Sequence, residues 1–209
     1  MKGLFITFEG SEGSGKSTQS GMLYQYLKKK GLPVVHIREP GGTAIGEQVR
    51  KVLLNPKNRA MGPLSETLLY MASRAELVKG VIKPALKQGK VVICDRFLDS
   101  TRAYQGHGLG VDMRMIESVG RLVTQKITPD LTIFLDVPVK EGLSRTGATK
   151  DRIEQRAVAY HKLVRKGYIS LAKKFKSRIK IVKVNEHKNT TQLRIREGVL
   201  RLLNKYHAI

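Results

Sequence analysis

The 209-residue sequence predicts an α/β fold, a five-stranded and mostly parallel sheet with helices on both faces. Three observations predict it. Five short apolar runs recur along the chain, most of them continuously apolar, as strands buried on both faces are. Stretches with apolar residues at three-and-four spacing separate those runs. A glycine-rich turn joins the first run to the first helical stretch.

The elements follow in order. Leu4–Phe8 reads as the first strand and 16–30 as the first helix. Pro33–Ile37 is the second strand, followed by helical patterns at 46–54 and 64–88. Val91–Cys94 is the third strand, with a helix expected at 112–126. Leu131–Val137 is the fourth, followed by helices at 138–146 and 153–176. The fifth, Ile179–Val184, alternates with lysine and reads as a sheet edge. A helix at 190–206 closes the chain. No repeat or linker interrupts the pattern, so residues 1–209 are expected to form a single domain.

Composition narrows the class. At 41% apolar residues the chain can bury a core. No apolar run reaches the roughly 18 residues that span a bilayer. The strand pattern starts directly after Met1-Lys2-Gly3, which predicts no signal peptide. Cys94 is the single cysteine, so no internal disulfide is expected. Together these features predict a cytoplasmic protein without membrane contact. The formal charge of +22 comes from 39 basic and 17 acidic residues. From Lys140 onward there are 19 basic and 5 acidic residues. That is either a nucleic-acid footprint or a solvated basic face around a polyphosphate site. The basic residues interleave with apolar ones at helical or strand spacing, and stacking aromatics are scarce there. The second reading is favoured, and no specific nucleic-acid partner is expected.

Gly10-Ser11-Glu12-Gly13-Ser14-Gly15-Lys16-Ser17 fits G-x-x-x-x-G-K-[ST] in full. Glycines let successive backbone N–H groups turn inward on phosphate oxygens, where a Cβ would obstruct the turns. The helix starting near Lys16, with Thr18 in its first turn, aims its positive end at the same anion. Lys16 adds a mobile cation, and Ser17 a hydroxyl for Mg²⁺. ATP and Mg²⁺ are therefore the expected cofactors. The loop alone names no acceptor. The absence of an N-K-x-D motif leans the reading towards a kinase rather than a GTPase.

Two further loops lie at strand ends, where open parallel sheets bind ligands. Arg38-Glu39-Pro40-Gly41-Gly42 forces a turn after the second strand. The third ends in Asp95-Arg96, an acid able to reach a metal shell and a cation able to clamp an anion. Glu9, Glu39 and Asp136 read at least equally well as structural acids. Cys94 reads as a small core residue. The five histidines show no metal-ligand spacing.

Here the chain resembles the thymidylate kinase family, which phosphorylates dTMP to dTDP. The resemblance covers nearly the whole length. It runs through Phe8-Glu9-Gly10 and the loop, Arg38 to Thr43, and Leu69-Tyr70-Met71-Ala72-Ser73-Arg74. Asp95-Arg96, Ser100 and Ala103-Tyr104-Gln105-Gly106 follow. Pro129-Asp130-Leu131-Thr132, Leu135-Asp136-Val137 and Asp151-Arg152-Ile153-Glu154-Gln155 complete it.

The resemblance implies a P-loop kinase fold with a phosphate loop at 10–17 and a short lid at about 144–153. It implies that Glu12 lies near the sugar 3′-hydroxyl and that Arg38 and Arg96 hold the dTMP phosphate. Tyr70, where most members carry Phe, would stack on thymine, and Arg74 would hydrogen-bond the base. Ser100 and Gln105 would be base contacts, and Tyr104 would crowd the 2′ position. Asp95 would join Ser17 at the metal. Lys16 and Arg96 would be catalytic, joined by an arginine of the lid. One form of the family carries that arginine in the phosphate loop, but here the position is Gly13. The candidates are Arg152 and Arg145, with Lys150 a poorer bidentate clamp. The family is typically homodimeric, and helices within 64–88 and 112–126 are the expected contact. Two rival readings remain: another nucleoside monophosphate or deoxynucleoside kinase, and a nucleic-acid-binding phosphate-loop protein.

Overall fold

β1 runs Leu4–Glu9, and every residue in it is buried. Leu4, Ile6 and Phe8 pack into one layer and Phe5 into the other, the period of two that a pleated strand imposes. The computed structural model describes residues 3–147, 149–184 and 187–207, apart from the side chains of Tyr206 and His207. β2 (Val34–Arg38), β3 (Val91–Asp95), β4 (Leu131–Asp136) and β5 (Ile179–Lys183) complete the sheet. Its order is β2-β3-β1-β4-β5, and every pairing is parallel. β5 lies at an edge, as its lysine alternation predicts, and leaves Ile181 exposed.

In chain order the helices are α1 (Lys16–Lys29), α2 (Ala44–Leu54), α3 (Pro63–Leu77), α4 (Lys83–Lys87), α5 (Leu98–Thr101), α6 (Met113–Val123), α7 (Val139–Ser144), α8 (Val158–Lys174) and α9 (Lys188–His207). Leu23 and Leu27 of α1, with Ile195, Val199 and Leu203 of α9, cover the face of Leu4, Ile6 and Phe8. Met71 and Leu77 of α3 and Ile116 of α6 cover the face of Phe5, Val92 and Cys94. Each such fully buried side chain contributes about 1.5–3 kcal/mol over its exposed state. Cys94 is one of these core residues, as expected. A third cluster seats Val164, Tyr168 and Leu171 of α8 against Phe134 and Ile179.

Three helix boundaries and one unpredicted helix depart from the sequence pattern. The helix expected over 64–88 widens into a π-helical stretch at Val78–Ile82, directly before Pro84. Proline offers no N–H to the preceding turn, and a wider turn accommodates the missing bond. The helix at 112–126 stops at Val123, because Gln125 and Lys126 take φ of 51° and 64°. The helix expected from 153 starts at Val158. Before it, the Asp151 carboxylate accepts from the N–H groups of Ile153 and Glu154 at 2.8 and 2.9 Å, which sets a turn instead. A helix not predicted at all, α5, runs into a π-helical stretch at Arg102–Gly108. Asp99 anchors it through Arg102 at 2.7 Å and Arg178 at 2.6 Å.

The register positions the site. Phe8 and Arg38 both lie opposite Asp95. The carboxyl ends of β1, β2 and β3 therefore bring Glu9, Arg38 and Asp95 to one edge of the sheet.

Candidate active site

β1 feeds directly into the loop of residues 10–15. Gly10, Gly13 and Gly15 have φ of 151°, 65° and 81°, a region that side chains oppose. Gly13 is closed to any side chain, because a Cβ there would lie 1.8 Å from the Gly142 carbonyl oxygen. α7 thus packs its backbone directly on the loop. α1 begins after Gly15 with no acidic residue in its first turn. Its free N–H groups and positive dipole end are left for an anion.

Lys16 folds back over this loop. Its Nζ donates to the Ser11 carbonyl at 2.9 Å and lies 3.4 Å from Ser14 Oγ. Burial and the Arg96 charge pull the ammonium down to about 8, against the opposing pull of Glu12 and Asp95. Ser17 Oγ donates to Asp95 Oδ2 at 2.5 Å. Asp95 Oδ1 is buried without a hydrogen-bond partner among the described residues. A hydroxyl beside an orphaned carboxylate oxygen is a hard-oxygen pair, and such a pair suits a Mg²⁺ ion that is otherwise held by phosphates and water.

Arg96 sits at φ 73°, unusual for a residue other than glycine. Its N–H donates to the Phe8 carbonyl at 2.9 Å, which extends the sheet register by one residue. Its guanidinium spans the loop, with Nη2 on both Glu12 oxygens at 2.8 and 3.0 Å and Nη1 on the Gly10 carbonyl at 3.1 Å. The same group lies over the Tyr104 ring at 4.8 Å. The Tyr104 hydroxyl also donates to Glu12, at 2.8 Å. Burial acts to raise the Glu12 carboxyl, but Arg96 and Lys16 outweigh it and hold it at about 2. Glu12 is therefore ionised at any working pH.

These groups open on a cleft of about 640 Å³. Of the residues expected from sequence, Glu12 to Thr18, Arg38, Tyr70, Asp95, Arg96, Ser100, Tyr104, Gln105 and Arg145 line it. Gly10 and Ser11 form the buried root of the loop. Arg38 pairs with Glu47 at 3.0 Å. Ser100 Oγ donates to Glu9 at 2.6 Å, and Gln105 Nε2 donates to Glu66 at 2.8 Å.

Apart from Gly10 and Ser11, the expected Arg74 and Arg152 are not on the cleft wall. Arg74 is buried behind it, bonded to Glu39 at 2.7 Å, to Thr101 Oγ1 at 3.0 Å and to the Phe97 carbonyl at 3.1 Å. Reaching a base in the cleft would mean giving up those bonds. Here Arg74 and Glu39 together brace the Arg-Glu-Pro turn. Arg152 is also buried, its Nε on the Leu53 carbonyl at 2.7 Å and its Nη1 on Glu66 at 2.7 Å. It borders a separate, smaller cavity with Lys150 and Arg59. Arg145 is the lid arginine on the cleft, and among the described residues its side chain is held by an ion pair with neighbouring Glu141. Ala148, within the expected lid, lies outside the described residues.

Glu9 and Asp136 take structural partners. Glu9 is fully buried and accepts from Phe97 N–H, Ser100 and Tyr168. Burial and then Asp99 push its carboxyl up to about 7. Asp136 pairs with Arg165 at 2.7 Å.

Sequence reasoning missed Arg50, which lines the cleft and donates to the Pro40 carbonyl at 3.0 Å. The available signal was its position one helical turn before Leu54, which also lines the cleft. Val184, Lys188 and Thr191, also missed, form part of the wall.

A family model described as "Thymidylate kinase" matches residues 8–195. A thymidylate kinase from Pelotomaculum thermopropionicum is 44% identical over 209 residues, covering 99% of this chain and 97% of that protein. One from Symbiobacterium thermophilum is 46% identical over 201 residues, covering 96% and 94% respectively. The crystal structure of thymidylate kinase from Ehrlichia chaffeensis superposes with a TM-score of 0.79 at 36% identity. It covers 95% of this chain and 100% of that one.

Proposed function

The chain belongs to the thymidylate kinase family, and on that premise we propose how its cleft transfers a phosphoryl group from ATP to dTMP, giving dTDP. The observation that carries the reading is a single cleft running from the phosphate loop to Tyr70 and Gln105, with the Glu12–Arg96 pair between them.

In the donor half, the N–H groups of the loop and α1 hold the ATP phosphates, and Lys16 neutralises the β and γ groups. Val184, Lys188 and Thr191 supply wall for the adenine. Ser17 and Asp95 hold Mg²⁺, which when bound neutralises charge on the phosphate oxygens. In the acceptor half, Arg38, Arg96 and the adjacent Arg50 bind the dTMP phosphate. Tyr70 stacks on thymine, Ser100 and Gln105 contact its edge, and Tyr104 crowds the sugar. The arriving phosphate competes with Glu12 for Arg96. That exchange frees Glu12 to accept from the 3′-hydroxyl.

Transfer needs no strong general base, because the attacking phosphate oxygen is already anionic. It forms a bond to the γ-phosphorus as the bond to the β–γ bridging oxygen breaks, and ADP leaves with that electron pair. Lys16, Arg96 and Arg145 neutralise the charge gathered there. Arg145 follows α7, whose Gly142 abuts the phosphate loop. Arg152 instead anchors the foot of the lid, at about 144–153, within one domain. Closure of the lid excludes water that would otherwise hydrolyse ATP.

The proposal extends to a cytoplasmic homodimer without a nucleic-acid partner. Exposed Leu64 and Leu68 of α3 and Leu122 of α6 offer apolar contact for a second copy, and light scattering showing a monomer at micromolar concentration contradicts the dimer. No helix among the described residues is long and apolar enough to cross a membrane.

ADP release measured with dTMP, dUMP, TMP, dCMP, AMP and thymidine tests the function. Turnover is expected to be fastest with dTMP. Faster turnover with AMP or thymidine overturns the acceptor assignment.

A further inference from the structure

Glu66 is fully buried in α3 and has no role in the transfer described above. Its Oε2 accepts from Arg152 Nη1 at 2.7 Å and Arg156 Nη2 at 2.6 Å. Its Oε1 accepts from Gln105 Nε2 at 2.8 Å. Gln105 lines the cleft and is 2% exposed. An ion-paired carboxylate only accepts hydrogen bonds, so the Gln105 amide must present nitrogen to it. The flipped amide would set its carbonyl oxygen against a carboxylate oxygen in a buried site, which is strongly unfavourable. Glu66 thereby removes a freedom that a glutamine otherwise has. One N–H is used on Glu66, and the carbonyl oxygen and the second N–H are left as an edge of fixed sense.

We propose that Glu66 is a positioning residue that sets the acceptor's base class, locking Gln105 to receive an imide ring (thymine or uracil) and to reject cytosine. This rests on the reading that the acceptor's base lies beside Gln105. An imide edge carries a donor at N3–H beside an acceptor at O4. The Gln105 carbonyl accepts from the first and its second N–H donates to the other. Cytosine carries the inverse, an acceptor at N3 beside an amino donor. It matches Gln105 only if the amide flips, and Glu66 opposes that flip. A site that leaves buried polar groups mismatched rejects a ligand far more strongly than one that merely lacks a contact.

The test is kcat/KM for dTMP, dUMP and dCMP at saturating Mg·ATP, in wild type, Glu66→Gln and Arg156→Gln. Glu66→Gln keeps its carbonyl oxygen on Arg152 and Arg156 and turns its amide nitrogen towards Gln105, so the sense of the lock is reversed. The dTMP-to-dCMP ratio is expected to fall at least about tenfold, with dUMP falling alongside dTMP. Arg156→Gln removes an ion pair from Glu66 but keeps the Gln105 bond. Its ratio is expected to stay within about threefold of wild type while its Tm drops. If Glu66 only braces the fold, Glu66→Gln slows all acceptors alike and the ratio holds, which overturns the proposal. If Glu66→Gln does not fold, the ¹⁵N-labelled wild-type complex with dTMP is read instead. Both Gln105 side-chain protons are expected to exchange slowly, one held by Glu66 and the other by the base, and both exchanging as fast as those of an exposed glutamine overturn the lock. A wild-type enzyme without preference for dTMP over dCMP refutes the acceptor assignment itself, a result distinct from an unchanged ratio in the variant.

Discussion

In the proposed donor half of the cleft, the groups that would bind an anion are backbone N–H groups and one lysine resting on the Ser11 carbonyl. In the acceptor half they are arginines that already hold carboxylates, Arg38 on Glu47 and Arg96 on Glu12. The donor half is organised before its ligand arrives. The acceptor half must exchange ion pairs for phosphate, so its affinity is a difference between two pairings. Removing a donor-half group should therefore act directly. Removing an acceptor-half arginine also leaves a carboxylate without its partner.

The largest effect is expected at Lys16. Lys16→Ala should lower kcat by at least about a thousandfold, roughly 4 kcal/mol of barrier, with the fold intact by circular dichroism. Its pH dependence sharpens the point. With the ammonium pulled down to about 8 in the free protein, KM for ATP should rise as pH climbs through that value. A KM flat to pH 10 contradicts the role. Next is Gly13→Ala, which puts a methyl on a φ of 65° and into the Gly142 carbonyl. A loss of at least about 2 kcal/mol in denaturant titration is expected. An unchanged midpoint would mean that α7 does not rest on the loop.

The lid arginines separate by the same reasoning. Arg145→Ala should cost at least about tenfold in kcat, roughly 1.4 kcal/mol, with little change in Tm. Arg152→Ala should lower Tm, because it strips a buried partner from Glu66. The reverse pattern would return the catalytic role to Arg152. The smallest effect concerns Glu9. Its folded pKa of about 7 lies above the ordinary value of 4.5. Across that window the folded state keeps a proton that the unfolded state releases, so stability falls as pH rises from 4.5 to 7. Glu9→Gln should lack that fall, a relative gain on the order of 1 kcal/mol between pH 5 and 7 by thermal melts. A variant that tracks wild type over that range contradicts the buried-acid reading.

The same division explains what the sequence made legible. β1, β3 and β4 showed as apolar runs because they are buried on both faces, while β2 and β5 lie at the sheet edges and are partly exposed. The phosphate loop was readable because its function lies in local backbone geometry, and its glycines mark that geometry directly. Arg74 and Arg152 were placed by motif, but their buried bonds to Glu39 and Glu66 join residues distant in sequence. Local pattern carries no trace of such pairs. Helix α5 and its π-helical extension were missed for a related reason. Asp99-Ser100-Thr101 and the glycines at 106 and 108 look like a loop. The segment is helical because Glu9, Arg178 and Tyr168, all remote, bind its polar side chains. Arg50 reaches the cleft only because α2 folds beside the Pro40 turn.

The separation of the two halves is tested most directly by titrating ATP and dTMP calorimetrically into Lys16→Ala and Arg38→Ala. The account predicts that Lys16→Ala loses at least about tenfold in ATP affinity and keeps dTMP within about threefold, with Arg38→Ala the reverse. Both ligands weakened alike in both variants would contradict it.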